Sequence, residues 1–254
     1  MLILKVVLVI LVFIIITLPL FFVIRFNLNK NITSKAINNV NEYKNVNNYL
    51  LQITEHNIDF ERNTESFHNS KYFYKDNQYK KEMHSETPGV NIQNADSFEY
   101  GNINSKEKVK IIETQKVCYN VKANYILQKK DGFLDFMMIA LQPFSEDYGT
   151  LPNIWFQAGY NLRTDKYNGR KCYVLRLGDK SSYGEIWIDK EQNTLVRTVD
   201  EIYNRSYSEK VYSIKSDVVT NEDVTLPDLT GYTIKDSEDN VPSEYIGIYE
   251  KLGI

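Results

Sequence analysis

Histidines, cysteines and clustered carboxylates are the side chains best able to do chemistry. This chain is sparing with the first two: three His and two Cys in 254 residues. His56, His68 and His84 form no H-E-x-x-H arrangement, and their spacing suits no compact zinc site. They read as polar strand residues. Asp179, Glu185 and Asp189 flank one predicted strand, and a carboxylate pair can in principle do acid–base work; a solvated hairpin accounts for them better. Asp236, Glu238 and Asp239 lack the D-x-D-x-D-G spacing of a calcium loop and read as a solvated acidic loop. G-x-S-x-G, the P-loop and G-x-G-x-x-G are absent. The sequence therefore predicts no catalytic residue, no metal site and no cofactor. Cys118 and Cys172 each precede a tyrosine on a predicted strand. Outside the cytoplasm they could form a disulfide, provided their Cα atoms lie within about 7 Å; two buried free thiols are the alternative.

The remaining chemistry is apolar. Phe133–Leu141 (FLDFMMIAL) is apolar on nearly every face and stops at Pro143. It reads as a short buried helix with Asp131 as its cap. Such a segment must face other apolar groups. Phe133, Phe136, Met137, Ile139 and Leu141 are the candidate contacts for a hydrophobic ligand. Plugging the core is the plainer role for the same segment, and a plug can also wall a pocket.

These residues need elements to position them. Val6 to Ile24 is a run of 19 residues without charge. As a helix it would span about 28 Å, close to the roughly 30 Å hydrocarbon core of a bilayer. It is longer than the apolar part of a cleaved signal peptide, and no A-x-A-like site follows. Residues 1–26 thus read as an uncleaved transmembrane signal anchor. Lys5 stands against Arg25, Lys30 and Lys35, so the positive-inside rule is nearly balanced; the bulk of the chain is expected outside the cytoplasm. Residues 27–33 read as a juxtamembrane linker, and Ser34 as the cap of a helix that fades by Asn48.

Beyond that the apolar period becomes two. Strands are predicted at Tyr49–Phe60, Phe67–Lys75 and Gln78–Ser85, with Lys75-Asp76-Asn77-Gln78 as a hairpin turn. A further strand is predicted at Lys108–Tyr119. Tyr160–Lys166 and Lys171–Gly178 flank Asn168-Gly169, a dipeptide suited to the positive φ angles of a tight hairpin. Tyr183–Asp189, Thr194–Tyr203 and Glu209–Val219 complete a five-strand antiparallel meander. The fold class is mainly β (α+β), with one domain over 34–254.

Composition narrows the function classes. A net charge of −3 and a pI near 5.7 argue against a nucleic-acid partner. With 19 Tyr and 12 Phe the chain can bury a core. Frequent Asn, Ile, Lys and Tyr have A/T-rich codons and suggest a low-GC bacterium.

The element order, with YFYKDNQYKKEM (Tyr72–Met83), GYNLRTDKYNGRKCYVLRL (Gly159–Leu177), GEIWIDKEQNTLVR (Gly184–Arg197) and VTLPDLTGY (Val224–Tyr232), resembles the LolA-like superfamily of extracytoplasmic bacterial proteins. That group includes periplasmic lipoprotein carriers and the regulator RseB. The resemblance spans roughly residues 34–232. It implies a curved antiparallel half-barrel with helices on its concave face, where an acyl chain or another hydrophobic partner can sit. The carriers are soluble shuttles, whereas this chain reads as tethered. The expected function is a non-enzymatic, membrane-tethered extracytoplasmic module that binds a lipid, a lipoprotein acyl chain or a hydrophobic peptide, in envelope sensing or lipoprotein handling. The alternative is a structural or signalling envelope protein that docks a protein partner through its sheet.

Overall fold

The computed structural model describes residues 2–88, 96–104, 107–122, 134–144 and 157–238. One long helix, α1 (Leu2–Tyr43), leads into the strands. The first group is β1 (Asn48–Asp59), β2 (Thr64–Lys75), β3 (Gln78–Glu86), β4 (Ser97–Asn102), β5 (Glu107–Ile112) and β6 (Val117–Lys122). The short helix α2 (Asp135–Leu141) precedes β7 (Asn161–Tyr167), β8 (Arg170–Gly178), β9 (Ser182–Asp189), β10 (Leu195–Ile202) and β11 (Ser206–Ser216). A four-residue helix, α3 (Asn221–Val224), and β12 (Thr233–Glu238) follow.

The twelve strands of the described residues form one open curved sheet, ordered β12-β6-β5-β4-β3-β2-β1-β11-β10-β9-β8-β7. Every pairing is antiparallel except β12 with β6. The predicted five-strand meander is β7 to β11. Its turns use residues that tolerate a left-handed backbone. Asn168 and Gly169 have φ of 48° and 79°, and Asp76 and Asn77 have 47° and 70°. Positive φ at both central residues matches the right-handed twist of the flanking strands.

Alternation sorts the side chains onto two faces. Tyr49, Leu51 and Ile53 of β1 share a face with Tyr72 and Tyr74 of β2 and Tyr79 of β3. Leu175, Ile186, Ile188 and Tyr212 continue this inner face, and Ile32, Ala36 and Val40 of α1, with Leu134 just before α2 and Met137 and Leu141 within it, complete the same buried cluster. Both helices therefore lie on the inner face. Tyr49 and Tyr74 stack there at 5.2 Å. The opposite face carries a smaller cluster of Cys172, Val174, Trp187 and Val196.

Several expectations are corrected. Residues 27–33 are not a linker, since α1 runs unbroken to Tyr43 and Ser34 begins no new helix. The polar residues that suggested a linker have interior partners: Asn29 and Thr33 are both buried. Lys108–Tyr119 is two strands, β5 and β6, separated by a single 3-10 turn at Glu113–Gln115. Asp236 to Glu238 lie in strand β12 rather than in a loop. The proposed cap Asp131 lies outside the described residues. Cys118 and Cys172 are free thiols. Their strands, β6 and β8, stand second from opposite edges of the sheet, so no local pairing brings the two together.

Candidate functional site

α2 is too short to be stable as an isolated helix, so its packing holds it. Asp135 lies in its first turn, where a negative charge suits the helix dipole. Pro143 follows as the chain tightens into a 3-10 turn. Helical spacing then divides the apolar segment in two. Leu134, Met137 and Leu141 point into the core and are 0% exposed. Phe136, Ile139, Ala140 and Pro143, at i, i+3, i+4 and i+7, line a cavity of about 650 Å³. Phe136 and Ile139 are 40% and 55% exposed. The Phe136 ring stacks on Tyr72 with centroids 5.9 Å apart.

The other wall is the inner face of the sheet. Ile53, Tyr72, Ile186 and Tyr160 supply its apolar part. Glu55, Lys81, Glu185, Asp200 and Lys210 are its charged residues, and Ser70, Thr198 and Tyr212 bring hydroxyls. Glu55 and Lys210 pair at 3.4 Å, and Thr198 Oγ1 and Tyr212 Oη are 3.4 Å apart. Burial pushes the Tyr72 and Tyr160 phenols up to about 12, and these groups stay neutral at physiological pH. The cavity is thus amphipathic: α2 and the aromatic rings on one side, and a polar strip along the strands on the other.

Burial also raises the Asp200 carboxyl, while Lys210 pulls it back. A raised folded-state value means that the ionised form is disfavoured by folding. The penalty is absent below the ordinary carboxylate range and grows as pH rises through the folded-state value. Asp200→Asn is therefore expected to raise the melting temperature at pH 7 and to leave it unchanged near pH 3. A lower melting temperature at pH 7 would show that Lys210 outweighs burial.

The cavity also has a fixed relation to α1. Arg25, the first charge after the apolar run, donates through Nε to the Tyr160 carbonyl at 2.8 Å and through its guanidinium to the Asn161 side chain. One turn on, Asn29 Nδ2 donates to the carbonyls of Gln157 (2.9 Å) and Tyr160 (3.1 Å). Gln157 in turn donates to the Pro143 carbonyl at 2.9 Å. Tyr160 and Pro143 both line the cavity. The cavity wall therefore begins within one helical turn of the point where the apolar run ends. The part of α1 from Leu11 to Tyr43 contains a window long and apolar enough to cross a membrane, and that window is not buried against the rest of the chain.

Of the residues singled out in the sequence, Phe136 and Ile139 line the cavity, Met137 and Leu141 lie behind it in the core, and Phe133 falls outside the described residues. Sequence reasoning did not single out the strand residues of the other wall. Their only local signal is the two-residue period, which marks a face without saying which partner faces it. The three histidines lie on the neighbouring strands β1, β2 and β3: His56 meets Glu65 at 2.7 Å, His68 meets Ser85 at 2.9 Å, and His84 meets Asp96 at 2.5 Å.

Comparison with known proteins gives likenesses of fold. No family model matches the chain, and no curated protein matches it. Among solved structures, the chain is similar to the lipoprotein LppX of Mycobacterium tuberculosis, with 10% identity, a TM-score of 0.40, and coverage of 78% of this chain and 99% of that one. It is similar to MucB in the MucA/MucB complex of Pseudomonas aeruginosa, with 8% identity, a TM-score of 0.37 and coverage of 80% and 63%. A LolA superfamily protein from Nitrosomonas europaea matches with 8% identity, a TM-score of 0.27 and coverage of 75% and 97%. The chain spans less than two thirds of the length of the chain it matches in the MucA/MucB complex. At such identities and TM-scores no function passes from these proteins to this one.

Proposed function

We propose that this chain is a non-enzymatic binding module, tethered by α1 to a membrane with its sheet outside the cytoplasm, and that it holds the apolar part of a lipid, an acyl chain or a hydrophobic peptide between α2 and the inner face of the sheet. The observation that carries this reading is the exposure of Phe136 and Ile139 toward a cavity of about 650 Å³. That volume falls within the range of small-molecule sites, which are mostly apolar with a few polar groups that fix orientation. Tethering is supported by the apolar run, whose side chains from Phe13 to Ile24 are largely exposed. So much apolar surface is stable in a bilayer and unstable in water. The continuous helix and the Arg25 and Asn29 contacts hold the cavity close to that membrane, where membrane amphiphiles are concentrated.

The test is binding of a fluorescent acyl-chain probe with an uncharged head to the full chain in nanodiscs. Ala140 lines the cavity, so Ala140→Trp is expected to narrow it. The expected result is saturable binding by the wild type, weakened at least tenfold in Ala140→Trp with an unchanged melting temperature. Equal signals from both proteins and from empty nanodiscs would overturn the reading and favour a docking role for the sheet.

A further inference from the structure

The strand register gives the sheet two ends, and α1 leaves it at one of them. Asp59 pairs with Ser206 and Thr64, and Ile202 pairs with Ser206 and Ser182. The β1–β2, β8–β9 and β10–β11 turns therefore share one end. α1 enters the fold at this end: Arg25 meets the Tyr160 carbonyl and the Asn161 side chain, and Asn161 stands opposite Arg176, two residues before β8 closes at Gly178. At the far end Asn39 donates to the Gln192 carbonyl at 3.3 Å, in the β9–β10 turn. The apolar run before Arg25 thus projects past the end that carries the three turns. Two of those turns hold large apolar side chains in the open. Phe60, Ile202 and Tyr203 are 49%, 50% and 62% exposed. They form one tip, because the Phe60 amide donates to the Arg205 carbonyl at 2.8 Å and the Arg205 amide to the Ile202 carbonyl at 2.7 Å. Tyr203 also holds a φ of 45°, a conformation that costs energy for a bulky residue and suits its neighbour Asn204. With most of its surface in solvent, few contacts within the chain offset that cost.

We propose that this tip, Phe60 with Ile202 and Tyr203, rests in the interface of the membrane that α1 spans, so that the domain touches the bilayer at a second place. The partner is a lipid surface. This rests on the reading of α1 as a membrane anchor and adds a contact made by the sheet. Following the strand pairs from Asn161 through Arg176, Glu185, Val199 and Glu209 leads to His56. Tyr203 and Phe60 stand four residues beyond that row, or about 10–13 Å at the usual rise per residue. Arg25, the first charge after the apolar run, sets the level of the row near the membrane surface. α1 crosses the sheet obliquely, from β7 at Arg25 toward β10 at Asn39. A bilayer normal along α1 therefore tilts the sheet and draws the tip back from the hydrocarbon to the interface. Tyrosine is favoured at that depth, with its ring in apolar surroundings and its hydroxyl in water. The charges of the tip do not oppose the contact, because Arg62 pairs with Asp59 and Arg205 with Glu61. The contact is apolar and requires no anionic lipid. Gly184 and Asp200, which line the cavity, stand two residues from this end of the sheet, so the same contact brings the edge of the cavity to the lipids.

The experiment reads depth in the full chain, held in phosphatidylcholine nanodiscs. Cys118 and Cys172 are fully buried, so a fluorophore can be placed on one introduced cysteine: Arg62→Cys at the tip, Glu191→Cys at the opposite end, or Phe13→Cys in the apolar run. Lipids carrying a nitroxide then quench a label that lies in the bilayer. A nitroxide deep in the acyl chain is expected to quench the Phe13 label at least twofold. A nitroxide near the head group is expected to quench the Arg62 label at least twofold, at low and high salt alike, and to leave the Glu191 label unchanged. Phe60→Ser combined with Tyr203→Asn should abolish quenching at Arg62, with quenching at Phe13 and the melting temperature unchanged. An unquenched Arg62 label beside a quenched Phe13 label would overturn the proposal, leave the anchor standing and favour a protein partner for the tip. Quenching at Arg62 that persists in the double variant would also overturn it, because α1 alone would then hold the tip near the lipids. Equal quenching at Arg62 and Glu191 would overturn it as well, since no end of the sheet would be preferred. An unquenched Phe13 label would overturn both readings.

Discussion

Met137→Ala and Leu141→Ala are each expected to destabilise the domain by about 2–5 kcal/mol, whereas Ile139→Ala should change stability by no more than about 0.5–1 kcal/mol. All three residues are apolar and sit within five positions of one another on the same helix. Their difference is one of rotation. Met137 and Leu141 are fully buried and pack with α1 and the sheet in one core cluster. Truncating either leaves a cavity that the surrounding strands cannot close, because they are fixed by pairing on both sides. Ile139 is 55% exposed and looks into space that is already open, so its truncation removes few contacts. Ile139→Ala should instead weaken binding of the acyl-chain probe. Denaturant unfolding of the three variants, followed by near-ultraviolet circular dichroism, gives the comparison. Equal losses at Ile139 and Met137 would mean that α2 is a plug packed on every side.

The second large effect is expected at Gly178. Its φ is +109°, and a Cβ there would fall 2.2 Å from the Ser182 carbonyl oxygen and 2.7 Å from the Tyr183 Cα. The obstacle is backbone, and it cannot easily yield. The Asp179 amide donates to that same Ser182 carbonyl at 2.9 Å. The Asp179 carboxylate accepts from the amides of Ser181 and Ser182 at 2.7 and 2.9 Å. These bonds also hold its pKa below the ordinary carboxylate range. Strain of about 1–2 kcal/mol for the backbone conformation and about 1–3 kcal/mol for overpacking add to about 2–5 kcal/mol for Gly178→Ala. Gly169 is the control. Its φ is +79° with nothing within 4 Å of a built Cβ, so even Gly169→Val should cost only the strain, about 1–2 kcal/mol. Thermal melts of both variants check the ranking; a Gly178→Ala protein as stable as Gly169→Val would contradict it.

Hairpins were legible because their information is local. Asp76-Asn77 and Asn168-Gly169 carry turn chemistry within two residues, and the alternation on either side fixes the register. The elements that were misread depend on distant partners. Asn29 and Thr33 look like linker residues until the carbonyls of Gln157 and Tyr160 are placed beside Asn29. Thr33 bonds back to its own helix, to the Asn29 carbonyl at 2.9 Å. β4 (SFEYGN) and β12 (TIKDSE) are short and polar, and are strands because β3, β5 and β6 offer them open edges. The candidate site shows the same division. Sequence marks Phe133–Leu141 as apolar but does not say which turn of the helix meets the core and which the cavity. The opposite wall is assembled from β1, β2, β3, β9, β10 and β11, residues that no local pattern connects.

The most direct test of the central claim is photo-crosslinking in place. An acyl-chain probe carrying a diazirine near its terminus is incorporated into nanodiscs with the full chain, irradiated, and mapped by peptide mass spectrometry. If the cavity holds the chain, labels will concentrate on the Leu134–Phe144 segment and on inner-face residues such as Ile53, Tyr72 and Ile186. Ala140→Trp will reduce them without reducing labelling of the apolar run. Labels confined to Val6–Ile24 and the outer face, unchanged by Ala140→Trp, would contradict the account.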